Sequence, residues 1–208
     1  MSEPIESVAA RLRACRLCRD EPRSGAPLPQ EPRPIIQAAA GARLCIASQA
    51  PGARAHASGI PFMDPSGIRL RAWLGLGEPA FYDSSRIAIV PMGHCFPGLD
   101  AAGGDLPPRR ECAPTWRGPV LAALPNLDLI LVIGLYAQRW HLGPAAANAG
   151  LTATVQNWRS ILDEPRRPRI LPLPHPSWRN NAWLARHPWF ETELLPVLRD
   201  EVARLTAS

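Results

Sequence analysis

The sequence predicts an α/β fold, a three-layer α/β/α sandwich around a four-stranded, mostly parallel sheet, and three observations predict it. Four short apolar runs, residues 44–48, 87–92, 127–134 and 170–173, are continuous rather than alternating, as in parallel strands buried on both faces. Segments of helix-forming length lie between them, the alternation from which crossover-connected parallel sheets are built. The 208 residues, 46% of them hydrophobic and without an internal repeat, suffice for one domain over 1–208 with a substantial core.

Taken in chain order, residues 24–34 are rich in proline and glycine and read as an extended linker over the surface. The first strand, 44–48, carries Cys45 inside its apolar run, where a small core side chain is expected. Helices are predicted over 66–76, 109–123, 135–142 and 189–205. Asp64-Pro65 stands ahead of the first of these as an N-terminal capping signal. Ligand sites of open parallel sheets collect at the carboxyl ends of the strands. The unusual residues fall there: Gln49-Ala50-Pro51-Gly52, Gly93-His94-Cys95-Phe96-Pro97-Gly98 and Pro174-His175-Pro176-Ser177.

Charge narrows the function classes. The formal net charge is +5, and all 23 basic residues are arginine. Arginine presents a planar fork to phosphate, so the excess favours a polyanionic partner, although coding bias would also remove lysine. Either way, Schiff-base chemistry through a lysine is excluded. No stretch approaches the roughly 18 to 20 apolar residues of a membrane span, and the first residues carry charges where a signal peptide has its apolar region; no membrane partner and a cytoplasmic location are expected.

In a reducing compartment, cysteine spacing points to metal rather than disulfide. Cys15 and Cys18 form C-x2-C, and Cys95 and Cys112 enclose sixteen residues. Four soft thiolates suit either tetrahedral zinc or a cubane iron-sulfur cluster, and spacing does not separate the two. His56 and His94 lie in suggestive loops without an assigned role, while His141 and His187 read as surface or helix-end residues.

Together these motifs resemble the uracil-DNA glycosylase superfamily, and within it the iron-sulfur families numbered 4 and 5, over about residues 15–186. Gln49-Ala50-Pro51-Gly52 resembles the first family motif, usually Glu-Ala-Pro-Gly, and Gly59-Ile60-Pro61-Phe62 resembles the Gly-x-Pro-Phe that follows it. Cys95-Phe96-Pro97 is similar to the family's Cys-Arg-Pro, His175-Pro176-Ser177 to its last motif, and Asn180 to family 5. Three positions set the chain apart from family 4. Gln49 replaces the glutamate of family 4, and Asp64, two residues before Ser66-Gly67, takes the place of the family 5 aspartate. Pro91 aligns with the asparagine by which family 4 reads uracil, which implies relaxed base specificity.

The resemblance implies a monomeric, monofunctional DNA glycosylase that hydrolyses the N-glycosidic bond of uracil, or of other deaminated or damaged bases, in DNA. It implies a 4Fe-4S cluster on Cys15, Cys18, Cys95 and Cys112. His175 is the expected donor to the departing base, and Asp64 the carboxylate that orients water and stabilises the sugar cation. Backbone amides at Gln49 and Ala50 are expected to hold the base edge, Phe62 to stack on it, and Ser177, Trp178, Arg179 and Asn180 to probe the duplex. A non-catalytic DNA-binding module with structural zinc is the competing reading, because Gln49 lacks the family's acid.

Overall fold

The structure, a computed structural model, describes residues 3–207. Four strands, β1 (Leu44–Ala47), β2 (Ile87–Ile89), β3 (Leu129–Ile133) and β4 (Arg169–Leu173), form one sheet in the order β2-β1-β3-β4, every pair parallel. Each falls within or one residue from its predicted run. β2 ends at Ile89 instead of Met92 because Pro91 has no amide to donate, yet Val90 N donates to Ile46 O (2.9 Å) and Met92 N to Ser48 O (2.8 Å), so pairing with the β1 side continues beyond the strand.

Strand side chains alternate between two apolar clusters. Leu44, Ile46, Ile87, Ile89, Leu129 and Leu131 join one, and Cys45, Ala47, Ala88, Val90, Ile130 and Val132 join the other. Both faces therefore need covering, which explains the continuous apolar runs. Helices α1 (Ile5–Arg13), α2 (Leu17–Asp20), α3 (Ala53–Ser58), α4 (Pro65–Leu74), α5 (Glu78–Phe81), α6 (Cys112–Ala122), α7 (Gly134–Gln156), α8 (Trp158–Leu162), α9 (Asn181–Arg186) and α10 (Leu195–Thr206) supply the cover. α4, α9 and α10 pack on the first face and α1 and α6 on the second, giving the expected three layers. Cys45 is fully buried, as expected of a core residue.

The helices differ from expectation where glycine and proline intervene. α4 stops at Gly75, which takes the left-handed conformation at φ 68°. α6 begins at Cys112, not Arg109. α7 extends past the expected 135–142, interrupted at Gly143 and Gly150, each with φ 79°. The predicted helix over 189–205 divides into a π turn, Phe190–Leu194, and α10. The segment 24–34 has no regular structure but is not a loose linker: Leu28 is buried and Ser24 Oγ donates to Glu111 Oε2 at 2.7 Å. Among the described residues no helix is long and apolar enough to cross a membrane.

His141, expected at the surface, is instead packed beside the buried Arg117, whose Nε donates to His141 Nε2 at 3.0 Å. An acceptor nitrogen must be unprotonated, and burial, reinforced by Arg117 and Arg166, pushes the ring down to about 3. Since the folded value lies below the free one of 6.5, the unfolded chain binds the extra proton first, and stability falls as pH drops through that window. We expect unfolding free energy from urea titration to fall by about 2 kcal/mol between pH 6.5 and about pH 5 through this group, and His141→Gln to flatten that slope. An unchanged slope in the variant would assign the acid lability to other groups.

Candidate active site

β1 and β3 are neighbours, but the chain leaves β1 toward β2 and leaves β3 toward β4, so their loops diverge and a crevice opens at the carboxyl ends. A cleft of about 740 Å³ occupies it. His175, Asp64, Gln49, Ala50, Phe62, Ser177, Trp178, Arg179 and Asn180 all line this one cleft, although they come from three separate stretches of chain.

Asp64 is the N-cap of α4: its Oδ1 accepts from Gly67 N at 2.9 Å and Pro65 follows in the first turn. Capping and a place in the cleft are thus compatible, because a carboxylate has a second oxygen. Phe62 holds φ at +58°, the one non-glycine residue among those described with positive φ, and its ring packs edge-on against Phe81 at 6.2 Å while still lining the cleft. Gly67 permits this turn, since a β-carbon there would lie 1.8 Å from Phe62 O.

On the facing loop, His175 is largely buried. Desolvation lowers its pKa and the nearby Asp64 carboxylate opposes the shift, so the imidazole is neutral near pH 7. The backbone around it is braced: Asn180 Nδ2 donates to His175 O (2.7 Å), Arg69 Nη1 to Ser177 O (3.2 Å) and Gln138 Nε2 to Leu173 O (3.0 Å). Asn180 therefore has a second occupation besides facing the cleft. Trp178 is largely exposed, with the Arg179 guanidinium 5.8 Å from its ring centre. The Gln49-Ala50 turn is fixed by Gly93 N donating to Gln49 O at 2.9 Å, and Pro91 and Ile89 give the cleft an apolar stretch of wall.

Sequence reasoning missed Asp105. It sits in a loop folded back on itself, with Leu106 N donating to Gly98 O (2.9 Å) and Asp100 N to Gly104 O (2.8 Å), and this loop brings a second carboxylate to the cleft. Burial raises its pKa, Arg179 opposes that, and Asp64 and Asp100 add to it. No local pattern announces it, because its neighbours Gly52 and Arg179 are far away in sequence. Tyr136, Arg54 and Arg69 join the lining in the same way.

A second cluster lies on the α1–α6 side. Cys15, Cys18, Cys95 and Cys112 line one pocket with Leu12, Pro34, His94 and Trp116, and all four are free thiols. Burial pushes Cys18 up to about 11 and Cys95 and Cys112 to about 12. Trp116 Nε1 donates to Cys15 Sγ (3.3 Å) and His94 N to Cys112 Sγ (3.4 Å), so hydrogen-bond donors already point at sulfur. Among the described residues no three His, Cys, Asp or Glu side chains converge where a single ion would be held. All four thiols line the same small pocket. Four soft thiols are the donor set of either a tetrahedral zinc or an iron-sulfur cluster.

The model of the uracil DNA glycosylase superfamily matches residues 36–199. That span takes in the whole sheet, the cleft, Cys95 and Cys112, while Cys15 and Cys18 precede it. With a parallel sheet opening onto a cleft at its switch point, and a match across most of its length, the chain belongs to the uracil DNA glycosylase superfamily.

Proposed function

We propose that the protein is a monofunctional glycosylase that hydrolyses the N-glycosidic bond of uracil, and of other deaminated or damaged bases, in DNA, leaving an abasic site. The observation that carries this reading is that a neutral His175 and the Asp64 carboxylate line one cleft of about 740 Å³ at the carboxyl ends of the strands.

Extracting a base from its stack costs a few kcal/mol. Phe62, held in its turn at the cleft wall, supplies a stacking surface worth roughly 1 to 3 kcal/mol in return. Bond cleavage leaves electrons on the departing base and positive charge on the sugar. His175 donates a hydrogen bond to the base oxygen as it gains charge, and a neutral imidazole is sufficient as donor. Asp64 orients water and stabilises the cation through the oxygen that does not cap α4. Without lysine, no side-chain amine forms an imine at the abasic site, so strand cleavage by β-elimination is not expected. The apolar Pro91 offers no hydrogen bond to distinguish one pyrimidine or purine edge from another, so we expect relaxed base selection.

Cys15, Cys18, Cys95 and Cys112 would hold a 4Fe-4S cluster. That all four thiols line one pocket, with N–H donors directed at Cys15 and Cys112 sulfur, supports a shared thiolate site, and the resemblance to the iron-sulfur families favours the cluster over a single zinc. Through these four residues such a group would tie together the N-terminal segment, the loop after β2 and the start of α6. Cys15→Ala and Cys112→Ala are each expected to lower bound iron and thermal stability together, read by elemental analysis and calorimetry. Iron content unchanged in both would dispose of a shared site; a colourless, zinc-loaded protein would reassign the metal.

The direct test is incubation with a uracil-containing oligonucleotide followed by alkali. Alkali-dependent strand breaks at the uracil position are expected. Their absence with uracil, hypoxanthine and xanthine alike would favour a non-catalytic DNA-binding module, the reading that Gln49 in place of the family glutamate supports.

A further inference from the structure

The first turns of α7 present an unusual face. Leu135, Tyr136 and Trp140 are 47%, 39% and 45% exposed, with the exposed Arg139 between them, while Ala137 and Gln138 turn inward. Among the described residues neither the Tyr136 nor the Trp140 ring makes a ring contact or hydrogen bond, and Arg139 has no ion-pair partner. Leaving two aromatic rings in water side by side is costly unless something covers them. Tyr136 lines the cleft, so this face continues the cleft wall outward. Arg54 and Arg179, at the same mouth, also lack carboxylate ion-pair partners within 4 Å among the described residues.

We infer that Tyr136 and Trp140 form a stacking platform for unpaired nucleobases flanking the target nucleotide, so that the protein engages a single strand in preference to a duplex. The inference rests on the DNA reading above and extends it to the form of the substrate. The β-carbons at positions i and i+4 of a helix stand about 5 to 6 Å apart, so two rings there lie on neighbouring patches of one face. Stacked bases in B-form DNA follow one another every 3.4 Å or so and keep their faces covered by their neighbours. A strand free to splay its bases can lay successive faces on two such rings, and Arg139, beside them on the same helix, is placed to meet the backbone phosphates of that strand. Interleaved aromatic and cationic side chains are the combination by which single strands are held without sequence preference.

The test uses fluorescence anisotropy with a labelled oligothymidylate, which contains no uracil or other deaminated base, and the same strand as a duplex. Trp140→Ala and Tyr136→Ala are each expected to weaken single-strand binding by about tenfold. Duplex binding and the salt dependence should change little. Trp140→Phe should restore most of the affinity, and Arg139→Gln should lower the salt slope by about one. Unchanged single-strand affinity in both alanine variants would overturn the inference, as would equal losses on single strand and duplex. So would self-association of the wild type that Trp140→Ala abolishes, since a second copy would then be the occupant. Because the probe carries no target base, a wild type that excises nothing but shows Trp140-dependent binding would sink the glycosylase reading and leave this one standing.

Discussion

His175→Ala is expected to slow single-turnover excision of uracil by about 100-fold to 1000-fold, the range observed when one donor to a developing anion is removed elsewhere. The effect is confined to the transition state. In the ground state the base oxygen is a neutral carbonyl and gains little from the imidazole, so affinity for the uncleaved strand should stay within a few-fold of the wild type. The side chain is held by a braced backbone, with Asn180 donating to His175 O and Gln138 to Leu173 O, so truncation should leave the loop in place. Excision and binding are to be measured on the same oligonucleotide. A rate within a few-fold of wild type would mean that another group stabilises the leaving base, whereas parallel loss of rate and affinity would mean that the loop had collapsed.

Asp64→Asn is expected to slow the same step on the order of 100-fold, because the amide cannot take a proton from water or balance the sugar cation. Asparagine keeps an oxygen that can accept from Gly67 N, so the cap on α4 should persist and the melting temperature should hold. Asp64→Ala removes both functions. It should match the asparagine variant in rate and in addition lose about 1 kcal/mol of stability, a fall of about 2 to 4 °C in a domain of this size. The pair of variants separates chemistry from capping. If asparagine left the rate intact, the water-orienting role would pass to another carboxylate, and Asp105, in the same cleft with its pKa raised by burial, is the one placed to take it.

The sandwich was legible because parallel strands buried on two faces must be apolar at every position, and that signature survives in a single sequence at 44–48 as well as at 129–133. Helix ends were harder to read. The stop at Gly75 and the breaks at Gly143 and Gly150 depend on left-handed backbone, which glycine permits without requiring, so a glycine in the sequence marks a possible end and packing chooses among them. His141 shows the same limit for polarity. Nothing near it in sequence marks it as buried, and its partner Arg117 comes from another helix.

By itself the sequence determined the four strands, four of the helices, the loops that carry chemistry, the absence of lysine chemistry and the four thiols. Each is a property of residue type or short spacing, which the chain carries whether folded or not. Only the tertiary structure decided that Asp105 joins Asp64 in one cleft, that Tyr136 in the cleft wall and Trp140 on the same helix stay partly exposed, and that four cysteines separated by up to ninety-seven positions line one pocket. Such encounters are set by how two helical layers pack on a twisted sheet. The entropy of closing long loops is recovered only by that packing as a whole, and no local pattern records it.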